Sequence, residues 1–315
     1  MTRGETDIPV VVTGRRRLAP TIDEFTLAAA HGGALPAFEA GAHIDVETPG
    51  GHRRSYSLCA PTAARPRAYT IAVDRRADGE GGSVSMHDRA ATGSPVRISS
   101  PSTGFDLHPT TRRAVLIAGG VGITAVRGMR RDLQEAGVAS TLVYLVRDRS
   151  AAAYLDELNA PDVVVHATRE HDGRRFDLWP LLADPTDSEV YCCGPAPLMR
   201  TVRAMTMHWR PARLHFEDFV GVCAVDPFAQ PFTAVWQPTG ERVSVGSDHS
   251  LLDRLTENGI AVPSSCRSGT CGTCRVRLIS GTAQHRDIVL ENHERSDRLI
   301  TCVSRAEREI CIGPA

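Results

Sequence analysis

Three cysteines near the C-terminal end, Cys266, Cys271 and Cys274, and a fourth at Cys302 constrain this chain more than any other feature. The pattern is C-x4-C-x2-C, a long gap, then one more Cys. Four thiolates at this spacing can hold the two irons of a [2Fe–2S] cluster. The intervening Ser268, Gly269, Thr270, Gly272 and Thr273 are small. They let backbone wrap closely round an inorganic core and aim N–H groups at its sulfurs, which helps to set a potential. A structural zinc site and unrelated free thiols are the competing readings. Zinc favours Cys pairs on each side of the gap, and Cys302 has no close ligand partner on its own side. A one-electron centre needs a source of electrons, and the rest of the chain is read with that need in view.

The chain has 315 residues, enough for two or three domains, and its 42% apolar content can fill real cores. The formal net charge is −1, which argues against a nucleic-acid or membrane partner. All 36 basic residues are Arg. Nine cysteines are present. The five outside the cluster pattern (Cys59, Cys192, Cys193, Cys223 and Cys311) have no disulfide-framework spacing. No apolar leader and no run of 18 apolar residues occurs. A reduced, soluble, cytoplasmic protein is expected.

Residues 1–107 contain short β-rich runs: Ile8–Gly14, Thr21–Ala28, His43–Glu47, Arg54–Leu58, Tyr69–Val73 and Pro95–Ser99. Gly and Pro turns separate them, which predicts a small antiparallel barrel, with one helix over Ser83–Ala90. In Arg54-Ser55-Tyr56-Ser57, Arg54 offers a fork to phosphate, Tyr56 a flat face and Ser57 a hydroxyl donor. Glu80-Gly81-Gly82-Ser83 leads into the helix, where free N–H groups can meet an anion. Ser83 can equally be an N-cap and Tyr56 a core aromatic. Together the two segments describe a site for a phosphorylated aromatic cofactor.

Residues 108–222 alternate strands and helices. Strands are expected at Ala114–Ala118, Thr141–Val146, Val163–Ala167, Val190–Cys193 and Leu214–Phe216. Helices are expected at Ala125–Ala136, Tyr154–Leu158, Trp179–Ala183 and Ala196–Met207. This is the pattern of a doubly wound parallel sheet, with ligands beyond the carboxyl ends of the strands. Gly119-Gly120-Val121-Gly122-Ile123-Thr124 is a strand–turn–helix where a pyrophosphate can lie, although glycines there can be geometric only. Tyr191-Cys192-Cys193-Gly194-Pro195 is a second such turn. In Arg147-Asp148-Arg149 the acid would disfavour an extra 2′-phosphate on a dinucleotide bound there.

Residues 223–315 begin with an ordered linker, Gly221 to Pro231 by composition. Strands follow at Phe232–Gln237 and Arg242–Val245, and a helix at Ser250–Asn258 ends at Gly259. The cluster loop, a strand at Arg275–Ile279 and a last strand at Ile310–Ile312 complete the segment. Arg267, Arg275 and Arg277 form a basic edge: either a solvated rim or a surface for an acidic partner. Cys311 reads as a packed residue.

With R-x-Y-S then G-G-S, A-G-G-x-G-I-T, Y-C-C-G-P and V-P-S-S-C-R-S-G-T-C-G-T-C in this order, the chain resembles the phthalate dioxygenase reductase family over nearly its whole length. The resemblance implies an antiparallel flavin-binding β-barrel, a doubly wound parallel-sheet NAD domain and a β-grasp [2Fe–2S] ferredoxin domain. It implies FMN as the flavin and NADH as the donor. Arg54, Ser55, Tyr56 and Ser57 would then face the flavin, Ile71-Ala72-Val73 would line it, and Gly81, Gly82 and Ser83 would take its phosphate. Gly119, Gly120, Gly122, Thr124, Cys193, Gly194 and Pro195 would bind the dinucleotide. Ser57, Cys193, Glu217 and Phe219 would surround hydride transfer, with Phe219 covering the flavin face. Cys266, Cys271, Cys274 and Cys302 would hold the cluster.

The function so implied is electron delivery, by a chain expected to be monomeric, to a terminal oxygenase, a Rieske aromatic-ring oxygenase or O-demethylase. A haem oxygenase of the P450 type and a free-standing NADH:acceptor reductase are the alternatives. A zinc-stapled interaction protein is the reading from a different class.

Overall fold

The computed structural model describes residues 8–315 apart from 78, 80, 104, 186, 218, 220–228, 248, 265–268, 270, 271 and 288. It consists of two compact units, residues 1–217 and 218–315.

The first unit opens with β1 (Ile8–Ala19), β2 (Ile22–Ala29), β3 (His43–Glu47), β4 (Arg53–Ser57), β5 (Ala68–Asp74), α1 (Gly82–Arg89) and β6 (Pro95–Ile98). The strand order is β4-β3-β6-β1-β2-β5, all antiparallel. A bridge from Leu58 to Ile71 joins the two edges and closes the barrel. Alternation places Val10, Val12, Phe25, Leu27, Ile44, Val46, Ile71 and Val73 inside. β1 runs on to Ala19, beyond the expected end at Gly14, because Arg15, Arg16 and Arg17 lie opposite Phe25, Glu24 and Asp23. Asp23 is buried and bonds Arg15 at 2.8 Å and 2.5 Å.

The same unit continues with β7 (Arg113–Gly119), α2 (Ile123–Glu135), β8 (Ala139–Val146), β9 (Val163–Ala167), α3 (Trp179–Leu182), β10 (Glu189–Cys193), α4 (Ala196–Met205) and β11 (Leu214–Glu217). These strands form a parallel sheet in the order β11-β10-β7-β8-β9. The order reverses between β7 and β10, which puts a crevice there. Along α2, Ile123, Val126, Met129 and Leu133 recur at helical spacing and are buried against the sheet. The other face packs on Met199 and Val202 of α4 and on Trp209.

Tyr154–Leu158 is not the expected α-helix. Only Leu155–Glu157 turn, as a 3-10 helix, and Tyr154 before them has φ 60°. Tertiary contact outweighs local propensity here, because the turned backbone carries the Tyr154 ring into the joint between sheet and barrel. Its hydroxyl donates to Glu24 on β2 at 2.8 Å, and the Arg127 guanidinium lies 4.4 Å from the ring centroid. Burial pushes the phenol far above its ordinary pKa, so it remains a donor. Arg127 also holds Glu157 in a two-bonded pair at 2.8 Å and 2.8 Å and donates to the Cys59 carbonyl. Ala19, Ile22, Cys59 and Ala72 of the barrel share one apolar cluster with Leu116, Ala118 and Tyr144 of the sheet.

The second unit contains β12 (Phe232–Trp236), β13 (Glu241–Val245), α5 (Leu251–Glu257), β14 (Arg275–Ser280), β15 (Ala283–Gln284), β16 (Arg298–Ile300), β17 (Arg305–Ala306) and β18 (Glu309–Gly313). Its mixed sheet has the order β13-β12-β18-β14-β16, with only β12 and β18 parallel. This is the expected β-grasp arrangement. Ser250 and Asp253 make a reciprocal capping box at α5, and Leu251, Leu252 and Leu255 turn inward. Gly259 follows at φ +74° as the terminating glycine. The expected linker lies largely outside the described residues.

Removing the Tyr154 hydroxyl removes one charge-assisted bond between the two parts of the first unit. Tyr154→Phe is expected to cost about 1–3 kcal/mol and to lower the melting temperature in calorimetry, with the ring's packing kept.

Candidate functional site

The glycine turn expected to meet a phosphate lies where β4 meets α1. Gly81, at φ 87°, caps α1 with no side-chain hydrogen bond, so among the described residues no side chain caps the first turn. A Cβ on Gly82 would lie 2.7 Å from Cγ and 3.0 Å from Nε of Arg54. The missing side chain is what lets Arg54 lie across the helix start. The Ser83 hydroxyl accepts from the Arg76 N–H at 3.0 Å. Glu80 lies outside the described residues.

Along β4, Tyr56 has a buried hydroxyl without a partner among the described residues. Burial pushes its pKa up to about 12. An orphan buried hydroxyl costs free energy, and the polar edge of a bound ring would supply the missing bond. Ser55 is engaged elsewhere, donating to Asp45 at 2.5 Å. Ile71 and Val73 point into the barrel core, whereas Ala72 packs toward the sheet. This strand therefore offers a flavin its backbone and Ala72 rather than its large side chains.

At the crevice the two glycine turns lie back to back. A Cβ on Gly122 would overlap the Cys193 carbonyl, and one on Gly119 would lie 2.7 Å from Pro195 and 3.3 Å from the Gly194 Cα. Gly120, at φ +56°, has nothing within 4 Å on its open side. Two of these glycines thus serve backbone contact, and the third leaves room for a ligand. Thr124 is buried and donates to the Val121 carbonyl at 2.9 Å.

Beyond the carboxyl ends of the strands, β10 and β11 pair Cys193 with Glu217. The Glu217 carboxylate accepts from Ser57 of the barrel at 3.1 Å and lies 3.8 Å from the Cys193 sulfur. Ser57, Cys193 and Glu217 are 4%, 0% and 8% exposed. Three polar groups from two sheets are therefore fixed around one buried point, suited to positioning a substrate ring and holding a proton. Phe219 belongs to the second unit and is 41% exposed.

Past the carboxyl end of β8, Asp148 accepts from the Ser150 hydroxyl at 2.7 Å, from the Ser150 N–H at 3.0 Å and from Arg169 at 2.9 Å. These bonds, Ser150's foremost, pull its pKa down to about 2. Arg149 is paired with Glu170 at 2.9 Å. Arg149 and Arg169 therefore already face carboxylates.

In the second unit, Cys274 and Cys302 are buried in one small apolar cluster with Leu252, Leu290, Ile300 and Val303. Cys266, Cys271 and Arg267 lie outside the described residues. The Cys274 carbonyl accepts from the N–H and hydroxyl of Thr301, at 3.2 Å and 3.0 Å. Gly269 and Gly272 have φ +75° and +71°, and a Cβ on Gly269 would lie 2.6 Å from Val303 and 3.3 Å from the Asp287 Cα. Buried thiols at Cys274 and Cys302, with Gly269 left-handed and close against Val303, the residue after Cys302, fit a cluster. Arg275 of the basic edge pairs with Glu294 at 3.1 Å.

Asp287 and Tyr154 carried no signal in the sequence. Asp287 is a buried carboxylate that accepts from the Leu290 N–H at 2.9 Å and packs behind the cluster loop.

The close approach of the two turns predicts a specific sensitivity. Gly122→Ala should cost about 1–3 kcal/mol in thermal unfolding and raise the KM for the dinucleotide, because the Cys193 turn must move.

The chain matches the family of 2Fe-2S iron-sulfur cluster binding domains over residues 234–307. It is 40% identical over 311 residues to the phthalate 4,5-dioxygenase oxygenase reductase subunit of Pseudomonas putida, covering 96% of this chain and 94% of that one. It is similar to the solved phthalate dioxygenase reductase, described as a modular structure for electron transfer from pyridine nucleotides to [2Fe-2S]. That match has a TM-score of 0.75 and 37% identity, over 99% of this chain and all (100%) of that one. An intact type IV self-sufficient cytochrome P450 monooxygenase matches with a TM-score of 0.79 and 34% identity, over 99% of this chain and 42% of that one. The chain belongs to the phthalate dioxygenase reductase family and is a flavin-, NAD- and [2Fe–2S]-dependent electron-transfer oxidoreductase.

Proposed function

We propose that this chain is the reductase component of an oxygenase system: it accepts hydride from NADH and delivers single electrons to a terminal Rieske aromatic-ring oxygenase or O-demethylase. The observation that carries the reading is the contact of Ser57, Cys193 and Glu217, which brings the barrel strand to the carboxyl ends of β10 and β11. Residues 1–107 are assigned to FMN, 108–222 to NADH and 223–315 to the cluster. When bound, FMN supplies the exchange between two-electron and one-electron chemistry, and the cluster supplies a one-electron relay.

The chain's own residues position the partners. Arg54, Gly81, Gly82 and Ser83 hold the phosphate end of FMN, while Tyr56, Ser57 and the Ile71–Val73 backbone face its ring. Gly119, Gly120, Gly122 and Thr124, with Gly194 and Pro195, seat the dinucleotide. Ser57, Cys193 and Glu217 would orient the nicotinamide, and the family resemblance assigns Phe219 to the same transfer. Orientation of this kind is the main contribution a protein makes to such a transfer. Cys266, Cys271, Cys274 and Cys302 hold the cluster. Asp148 repels a 2′-phosphate and so favours NADH. A monomeric, cytoplasmic protein fits this role, and no described helix is long and apolar enough to cross a membrane. The similarity to the self-sufficient P450 supports a haem oxygenase as a second acceptor class.

An anaerobic titration with NADH, followed by absorbance, tests the reading. Uptake of about three electrons per chain with release of FMN on denaturation is expected, since a flavin takes two and a cluster one. Uptake of two electrons would remove the cluster from the scheme. Cys274→Ser should abolish cytochrome c reduction while NADH still bleaches the flavin. Purified terminal oxygenases of the Rieske and haem types, each offered as acceptor, separate the two partner classes.

Asp148→Ala should raise kcat/KM for NADPH relative to NADH by about tenfold, the equivalent of ~1.4 kcal/mol. Steady-state rates with both nucleotides check it.

A further inference from the structure

We infer that His52 is a further flavin-positioning residue: its imidazole, beside Gly81 at the start of α1 and near Arg54, contacts the phosphate group of FMN. The inference rests on the assignment of the flavin to this barrel. His52 closes the turn between β3 and β4, where its carbonyl accepts from Thr48 at 2.8 Å and its N–H donates to the Thr48 hydroxyl at 3.3 Å. The turn is fastened to α1, because the Gly50 N–H donates to Ser85 at 3.3 Å and Ser85 donates to the Gly82 carbonyl at 2.9 Å. The ring is thereby held over the helix start. Its Nε2 would lie 3.3 Å from a Cβ on Gly81, and its Cδ2 lies 3.2 Å from where a Cβ on Gly50 would be. Neither ring nitrogen has a hydrogen-bond partner among the described residues.

Among the described residues, the charged side chain on the side of the strand that His52 shares is Arg54. Arg54 stands two residues along, on the same side of the strand, and lies across Gly82. The first turn of α1 holds no described acidic side chain and presents the positive end of the helix. The acids of β3, Glu47 and Asp45, lie opposite Arg53 and Ser55 on the strand's other face, and Asp45 is bonded by both Ser55 and Arg53. Glycine at both 81 and 82 has a clear consequence: a side chain at either would displace His52 or Arg54. Imidazole, guanidinium and helix N–H groups together form a three-sided cradle for a compact dianion. A phosphomonoester suits it better than the more weakly charged diester of a dinucleotide.

The test uses the full-length apoprotein, stripped of flavin, titrated with FMN and with riboflavin by quenching of flavin fluorescence. His52→Ala should weaken FMN about tenfold and leave riboflavin within about twofold, the loss of one charge-assisted bond. His52→Lys should restore most of the FMN affinity, and Arg54→Ala should lower it as well. Circular dichroism confirms folding of each variant. Unchanged FMN affinity in His52→Ala, with Arg54→Ala still weakened, overturns the role of His52 alone. Equal losses for FMN and riboflavin also overturn it, since a phosphate contact cannot affect riboflavin. If wild type binds FMN no better than riboflavin and Arg54→Ala changes nothing, the flavin assignment of this end fails instead.

Discussion

The close backbone contact between Gly119–Gly122 and Cys193–Pro195 is the constraint on which the functional region of the first unit depends. Backbone can approach backbone this tightly only where Cβ atoms are missing, and Gly119, Gly122 and Gly194 meet that condition. The approach sets where β10 ends relative to β7, and so where Cys193 stands. Glu217 stands beside it through strand register, and Ser57 comes to the same carboxylate from the barrel. A shift of one turn would separate all three.

The barrel and the parallel sheet are held together by mixed forces. The apolar cluster running from Ala19 and Ile22 to Leu116 and Tyr144 supplies non-directional burial. Tyr154, Arg127 and the Asp132 carboxylate, which accepts from Thr62, add directional bonds that choose one orientation among many. The αL backbone of Tyr154 costs roughly 1–2 kcal/mol, and the bond to Glu24 with the stacked Arg127 offsets it. Orientation matters here because the Ser57–Glu217 bond tolerates little sliding between the two parts.

Much of this was legible in the chain itself. The β-rich runs around Val10–Val12 and Ile44–Val46, glycine at the two turns and the amphipathic pattern of α2 are local signals, and each gave the observed element. The helix α5 followed from the run Ser250–Asn258 and its closing Gly259, and the β-grasp order from the resemblance that the cysteine loop carries. The failures have a common physical origin. Tyr154 looked helical because Tyr-Leu-Asp-Glu-Leu has reasonable helix propensity, and its partner Glu24 is 130 residues away. Asp287 and His52 act through contacts with loops that no periodicity encodes. Arg15–Arg17 looked like the end of a strand until their acids on β2 were known. Ser55 carried a motif position yet spends its hydroxyl on Asp45, since a short motif does not say which face a residue takes.

The hydrogen bond from Ser57 to Glu217 joins residues 160 apart, and Glu217 is the last residue of the first unit. In the order in which a ribosome emits the chain, the barrel is complete long before this bond can form. The β7 strand must likewise wait for β10 to arrive on its far side. The polar cluster at the crevice is therefore the last part of the unit to be assembled. A nascent or truncated chain ending before β11 contains the whole barrel but lacks the carboxylate that unites it with the sheet. The emergence of β11 and the closing of the Ser57–Glu217 contact coincide, before the second unit has been made, a form of timing written into topology rather than into any regulatory segment.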